Sequence, residues 1–179
     1  MSGTTRWVDG RAVDFSATGV GTVWLRAMAP RIINGVDELR TLVGEHIGYS
    51  DWLEITQERV NQFAEATGDF QWIHVDVEKA KAGPFGGPIA HGYLTLSLGP
   101  MLGEQVWAVK GVAMGVNYGI DKLRFPSPVP VGSKLRVGAK LLDVTDVTGG
   151  VQVKFEYTFE VEGAAKPSCI AEVLFRMYH

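Results

Sequence analysis

The feature that most constrains the fold is the segment at residues 93–108, YLTLSLGPMLGEQVWA, which is apolar or small on nearly every side. A helix of this composition has no polar face to offer to solvent, so it must be buried. The Gly99-Pro100 pair inside it is expected to kink the helix, because proline removes a backbone donor. From residue 112 onward the sequence pattern becomes strand-like. The segment VQVKFEYTFEV at 151–161 alternates apolar and polar residues, as a half-buried strand does. The sequence therefore predicts an α+β domain in which an antiparallel sheet wraps one central helix.

Size and charge narrow the classes of function. The chain has 179 residues, about one domain's worth, of which 46% are hydrophobic and 21% charged, with a net charge of −3. This balance supplies no basic field for nucleic acid, so we expect no nucleic-acid partner. Cys169 is the single cysteine and lacks a metal-binding CxxC context, which favours an intracellular, cytoplasmic protein. No apolar run reaches eighteen residues, so no membrane-spanning helix is expected.

The first thirty residues differ in character from the rest. They are rich in Gly, Ser and Thr, show no sustained period, and carry charges that interrupt any signal peptide. We therefore divide the chain into an N-terminal extension, residues 1–30, which is disordered or not native, and one domain at 31–179. One hypothesis is that translation begins at Met28.

Three shorter helices are predicted before the central one, each followed by a glycine, and Asp37 and Asp76 are expected to cap the first and the third. The middle one has an apolar stripe at helical spacing across ITQERVNQFAEATG. Their limits run from Asp37 to Gly44, from Thr56 to Gly68, and from Asp76 to Gly83. A strand, IGYSDWL at 47–53, separates the first two.

Polar and aromatic side chains crowd the connection between the second and third of these helices. TGDFQWIHVD at 67–76 carries Asp69, Gln71, Trp72 and His74 between two helix ends, where the backbone is constrained. Such a connection can hold side chains in fixed places, and the glycine-punctuated turn FGGPIAHG follows before the central helix.

These segments resemble a known family, the MaoC-like dehydratases or (R)-specific enoyl-CoA hydratases of the hot-dog fold. The resemblance rests on TGDFQWIHVD at 67–76, GPFGGPIAHG at 83–92 and KLRFPSPVPVGS at 122–133, in the family's order and spacing. It covers residues 36–178 and is greatest to the nodulation-protein-N-like branch. It implies a single hot-dog domain that forms a homodimer.

The resemblance also implies site residues and a reaction. Asp69 and His74 match the family's catalytic pair, and Gly92 matches the glycine whose backbone N–H binds the thioester oxygen. One water held by the pair would add across a trans-2-enoyl-CoA to give an (R)-3-hydroxyacyl-CoA. The substrate is an acyl-CoA thioester, and no metal or organic cofactor is needed.

The same assignment is chemically reasonable from the residue types. Hydration of a double bond conjugated to a thioester needs a base for water, an acid for the α-carbon and a donor for the enolate oxygen. Histidine is the usual base near neutral pH, and a carboxylate can orient it or hold the water. Gly92 opens the buried helix, so its N–H lies at the positive end of the helix dipole.

Two positions depart from the family pattern. Gln71-Trp72 replaces a common Asn-Pro, and these two side chains are candidates to line the substrate tunnel, with a core role for Trp72 as the alternative. Pro100 stands where some relatives carry a serine, and Ser97, one turn earlier, is a candidate to replace that hydroxyl.

Several polar residues allow more than one interpretation. His91 is expected to bond a carbonyl and fix the turn before Gly92. A metal site from His74, Asp76 and His91 is chemically conceivable, but the HxD motif that suggests it is weak. Lys122 and Arg124 would suit CoA phosphates, although exposed charges on strands are usually solvated.

Two other functions remain open beside hydration. A hot-dog acyl-CoA thioesterase is disfavoured because residues 93–103 contain no carboxylate, which hydrolytic members commonly place there, and Glu104 comes late. A non-catalytic acyl-CoA or acyl-carrier-protein binding module is disfavoured because binding alone does not need both Asp69 and His74. The predicted sheet has an exposed edge and one helix covers one face, so a homodimer is expected.

Overall fold

The computed structural model describes residues 5–8, 11–14 and 29–179. Two short strands, β1 (Thr5–Val8) and β2 (Arg11–Asp14), pair antiparallel near the N-terminus. The predicted N-terminal extension at 1–30 otherwise falls outside the described residues, as does the hypothesis on Met28.

The remaining elements alternate short strands and helices before a run of long strands. In chain order the strands are β3 (Arg31–Ile33), β4 (His46–Tyr49), β5 (Leu53–Glu54), β6 (Trp107–Val109), β7 (Met114–Arg124), β8 (Lys134–Val147), β9 (Gly150–Val161) and β10 (Cys169–Tyr178). The helices are α1 (Val36–Thr41), α2 (Gln57–Thr67), α3 (Trp72–Val75), α4 (Val77–Lys81), α5 (Gly92–Ser97) and α6 (Gly99–Gly103).

The long strands form one antiparallel sheet. Its order is β4-β8-β9-β10-β7, and β5 pairs with β8 beside β4. In the part of the chain that the structure describes, β7 therefore lies at one edge of this sheet. The predicted α+β architecture, a sheet wrapped around a central helix, is confirmed.

The core lies between the central strand β9 and the helix pair α5–α6. Phe155, Tyr157 and Phe159 are buried on one face of β9, while the polar residues between them are half-buried on the other. Gly103 lets the helix approach this strand, because a Cβ at that position would overlap the Tyr157 hydroxyl. The close approach buries aromatic surface that contributes most of the stability of such a domain.

The central apolar segment is shorter and more broken than the sequence predicts. The expected kink is present, since α5 ends at Ser97 and α6 begins at Gly99 with Pro100 in its first turn. However, helix ends at Gly103, and residues 107–109 form β6, which pairs parallel with β3. The prediction of helix through residue 108 was wrong, because an apolar run looks the same in a buried helix and in a short buried strand.

The predicted helix caps and the predicted strand at 47–53 agree with the structure only in part. Asp76 accepts a hydrogen bond from the Lys79 N–H at 3.0 Å, as predicted. The helix predicted to start near Thr56 is α2, and Thr56 accepts a hydrogen bond from the Arg59 N–H at 3.2 Å. Asp37, in contrast, lies inside α1, whose N-cap is Gly35. The strand predicted at 47–53 is interrupted between β4 and β5, where residues 50–52 leave the ladder. Among the described residues, no helix is long and apolar enough to cross a bilayer.

Candidate active site

Helix α2 determines where Asp69 lies. The helix ends at Gly68, which adopts a left-handed conformation with φ of 78° that other residues rarely take. Asp69 follows immediately and is exposed. One of its carboxylate oxygens accepts a hydrogen bond from the Gln71 N–H at 3.3 Å, so the carboxylate is held over the start of the next turn.

His74 is held from two sides on the short helix α3. Its ring is buried, with 6% of the residue exposed, and its Nδ1 lies 2.7 Å from the Ile89 carbonyl oxygen. Because a carbonyl only accepts, Nδ1 carries the proton and Nε2 keeps a free lone pair. The Gln57 amide also donates to the His74 carbonyl at 2.8 Å, which ties α3 to α2. The result is an oriented neutral imidazole.

The environment also favours the neutral form of His74. Burial lowers the pKa of His74 below its ordinary value of 6.5, and the nearby His91 ring adds to this. The hydrogen bond to Ile89 and the charge of Asp69 oppose the shift and do not reverse it. At neutral pH the imidazole is therefore unprotonated and able to act as a base.

His91 connects the two candidate catalytic residues. Its Nε2 donates to the Asp69 carbonyl at 3.0 Å, so it bonds a carbonyl as expected, and its ring lies 3.9 Å from that of His74. Only 2% of His91 is exposed. Its Nδ1 is buried and has no hydrogen-bond partner in the described part of the chain. The close, tilted contact of the two rings places a second lone pair beside the His74 ring.

The three groups lie close enough to share one small molecule. One ligand atom each of Asp69, His74 and His91 lies within 4.8 Å of the others. Two hydrogen bonds of ordinary length span such a separation, so one water fits between the groups. The same three side chains, with Asp69 in place of the hypothesised Asp76, could also supply three ligand atoms to a metal ion. Asp76, the third member of the hypothesised metal set, caps α4 instead.

A cavity of about 340 Å³ opens beside His74. Gly92 at the start of α5 lines it, and a Cβ on Gly92 would come within 3.1 Å of the Phe125 ring. A larger residue at this position would therefore press on that ring. The remaining lining residues are mostly apolar: Phe85, Ile89, Ala90, Thr95, Phe125, Pro126, Ser127, Pro128, Val129 and Ser168.

The substituted pair Gln71-Trp72 lies elsewhere. Neither residue lines the cavity that contains His74. Trp72 packs over Gly83, whose added Cβ would come within 3.0 Å of the indole, and Lys79 lies 4.9 Å from the ring centroid. This packing favours the core interpretation of Trp72, and contact of either side chain with substrate remains a prediction.

Other sequence candidates have local partners. Lys122 forms an ion pair with Glu172 at 2.6 Å, and Arg124 donates to the Leu123 carbonyl at 2.7 Å. The Ser97 hydroxyl donates to the Tyr93 carbonyl at 2.6 Å and so is already committed. These contacts favour structural roles for all three residues.

Sequence reasoning missed three residues around the site. Gln57 carried no signal beyond helical spacing, and Thr95 was hidden inside the apolar run. Ser168 follows a proline in a loop-like segment, and no motif marks it. Phe125, by comparison, lies within KLRFPSPVPVGS, which the resemblance had already singled out.

Comparisons with known proteins identify the family of this chain. A family model described as MaoC like domain matches residues 38–162. The 3-hydroxyacyl-thioester dehydratase Z of Mycobacterium tuberculosis is 54% identical over 147 residues, which is 82% of this chain and 97% of the relative. Nodulation protein N of Rhizobium leguminosarum bv. viciae is 40% identical over 133 residues, which is 72% of this chain and 82% of the relative.

The fold has a solved counterpart as well. The X-ray structure of a monoamine oxidase regulatory protein from Archaeoglobus fulgius superposes with a TM-score of 0.67 at 26% identity, covering 81% of this chain and 95% of that one. The hot-dog architecture expected from the motifs is thereby confirmed. The motifs, the fold and these relatives agree, and the chain belongs to the MaoC-like domain family.

Proposed function

We propose that the protein is an (R)-specific enoyl-CoA hydratase in which Asp69 and His74 activate water. The reaction class is already clear, because the chain is a hydro-lyase, a dehydratase or hydratase of the MaoC type. The observation that carries the finer proposal is the neutral, oriented His74, which keeps a free Nε2, lines a mostly apolar cavity and lies close to the Asp69 side chain.

The reaction balances with these groups. The Asp69–His74 pair takes one proton from the bound water, and the hydroxide adds to C3 of the trans-2-enoyl thioester. The double-bond electrons move onto the thioester oxygen, where the Gly92 N–H stabilises the enolate. The pair then returns one proton to C2, so water is added in full and the reverse path is dehydration. Both parts add from one side, and the proposed (R) configuration at C3 requires that the corresponding face of the double bond is turned toward the water.

The apolar cavity supports an acyl thioester as the substrate. It has space for a short acyl chain, and a 54% identical relative is named for 3-hydroxyacyl thioesters. We assign CoA as the carrier, with acyl-carrier protein as the alternative. We also place the enzyme in the cytoplasm, which cell fractionation would test.

The edge strand supports a homodimer. β7 is exposed along ten of its eleven residues, and Met114, Val116, Tyr118 and Ile120 each expose about two fifths or more of their surface. An edge strand with apolar side chains and free backbone groups is a pairing surface. We infer that a second copy covers it. Val116→Asp should then yield monomers by sedimentation, whereas a monomeric wild type would contradict the proposal.

Thioester hydrolysis is the competing chemistry. Glu104, the first carboxylate after the central helix, lines a different cavity with Trp107, Val109 and Met114. It therefore lies away from the group that would be attacked beside Gly92. This position favours hydration over hydrolysis.

The test is absorbance loss at the enoyl-thioester band with crotonyl-CoA, followed by analysis of the product's stereochemistry. Wild-type enzyme should give the (R)-3-hydroxy product, and Asp69→Asn and His74→Ala should lose it. Release of free CoA would identify a thioesterase instead. Binding that survives Asp69→Asn, with no turnover in any variant or chain length, would identify a binding module.

A further inference from the structure

The side-chain hydroxyl of Ser168 is buried and makes no hydrogen bond within the described part of the chain. Ser168 lies directly before β10 and is 2% exposed. Its backbone N–H donates to the Phe159 carbonyl at 2.8 Å, so the main chain at this point is fixed. Its Oγ has no hydrogen-bond partner in the described part of the chain. Buried polar groups in folded proteins are nearly always paired, so this exception requires an explanation.

Other buried hydroxyls of the domain show the usual pattern. Ser50, 6% exposed, donates to the Asp51 carbonyl at 3.0 Å and accepts from the Val137 N–H at 2.9 Å. Thr95, 2% exposed, donates to the His91 carbonyl at 3.3 Å. The fold satisfies these two groups with its own backbone, whereas the described residues offer no partner to the Ser168 hydroxyl.

The position of Ser168 indicates what the partner is. Its side chain lines the cavity that also contains His74 and Gly92. His74 Nδ1 is committed to Ile89, and the Thr95 hydroxyl is committed to His91. Ser127, the other hydroxyl in the lining, is half-buried and can bond to solvent. The buried donor left for a ligand in this cavity is therefore the Ser168 hydroxyl.

We propose that Ser168 Oγ–H donates a hydrogen bond to the thioester carbonyl oxygen of the bound substrate, beside the Gly92 N–H. This inference rests on the proposed hydratase function and adds a second donor to the same site. The head of an enoyl thioester offers one strong acceptor, its carbonyl oxygen. That oxygen gains negative charge as water adds, so a fixed donor in a cavity shielded from water stabilises the transition state more than the ground state.

The decisive experiment compares Ser168→Ala with the matched control Ser50→Ala. Ser168→Ala should lower kcat for crotonyl-CoA roughly 10- to 100-fold with a smaller change in KM, since the lost donor acts mainly on the developing oxyanion. Its melting temperature should stay level or rise, because a buried unpaired hydroxyl is removed. Ser50→Ala should lower the melting temperature and leave kcat near the wild-type value.

Binding measurements separate contact with the carbonyl from general packing. Butyryl-CoA carries the thioester carbonyl and does not react with water at C3, and S-butyl-CoA is the matching thioether. Calorimetry should show Ser168→Ala binding butyryl-CoA more weakly and S-butyl-CoA unchanged. Equal weakening for both ligands, or an unchanged kcat in an active enzyme, would overturn the assignment of Ser168. Absence of hydration by the wild type would overturn the proposed function itself.

Discussion

The two ends of the central helix pair differ in how the protein treats its polar atoms. Along α6, Gly103 rests on Tyr157, whose hydroxyl accepts a hydrogen bond from the Trp107 indole at 3.1 Å, and the surroundings are aromatic. Around the first turn of α5, two buried polar atoms, His91 Nδ1 and Ser168 Oγ, have no partner among the described residues. One end of the helix pair is complete without a ligand, and the other is not.

This difference indicates that residues that stabilise the fold lie at the α6 end of the helix pair, whereas residues that would take part in the reaction lie at the α5 end. Buried unpaired groups cost stability, so they persist where they serve a ligand. Substitutions at the α6 end should therefore change the free energy of unfolding, and substitutions at the α5 end should change turnover. Four measurements test that separation, in decreasing order of expected effect.

The largest expected effect is on turnover at the site. Asp69→Asn and His74→Ala should each lower kcat/KM by about 10²- to 10⁴-fold, because each removes a group that handles the water proton. Asp69 is exposed, so Asp69→Asn should unfold at the wild-type denaturant midpoint. Loss of activity together with a large fall in that midpoint would contradict the separation.

The next effect is on stability at the other end. Phe155→Ala should lower the free energy of unfolding by about 3–5 kcal/mol, because it leaves a cavity in a fully buried position of β9. Denaturant unfolding measures this change. Glu156→Ala, on the opposite face of the strand, is the matched control and should change stability by less than about 1 kcal/mol.

A moderate effect is expected from adding one methyl group at the start of α5. Gly92→Ala places a Cβ within 3.1 Å of the Phe125 ring, beside the carbonyl site, and should lower kcat/KM by roughly 10-fold. Gly87→Ala is the control, because a Cβ there has no neighbour within 4 Å. Equal kinetics for the two variants would show that the thioester does not approach Gly92.

The smallest effect is a displacement of the pH profile. In the proposed mechanism the neutral form of His74 acts as the base, and burial lowers the pKa of His74 below 6.5. Activity should therefore persist as pH falls through 6.5 and be lost only below it, as kcat/KM against pH would show. The same shift means that the unfolded state binds more protons just below pH 6.5, so stability should also fall there. His46→Ala should leave the acidic limb unmoved.

Much of this arrangement follows from the sequence, and the exceptions have physical reasons. The alternation in β9, the start of α2 near Thr56, the Asp76 cap and the Gly99-Pro100 break depend on local periods and side-chain chemistry, and all were predicted. Residues 107–109 were assigned to helix because burial hides the period that separates helix from strand. Asp37 was taken as a cap, but Glu38 accepts from the Asn34 N–H at 2.8 Å and Gly35 begins the helix.

The candidate site was also predicted only in part. Asp69, His74 and Gly92 belong to contiguous motifs, so local sequence was enough to select them. Ser168 lies 94 residues after His74 and joins the same cavity only because β10 returns beside the central helix. Its lack of a hydrogen-bond partner is a property of the folded surroundings and leaves no trace in the sequence around it.

The way in which the catalytic turn is anchored has an evolutionary consequence. Three side chains that anchor it donate to main-chain carbonyls: Gln57 to His74, His74 to Ile89 and His91 to Asp69. A carbonyl is present whatever the side chain, so residues between the anchors are released from selection on the turn's position. Gln71-Trp72, which stands in place of the common Asn-Pro, lies between these anchors. The turn is a site where new acyl preferences can arise without loss of the reaction.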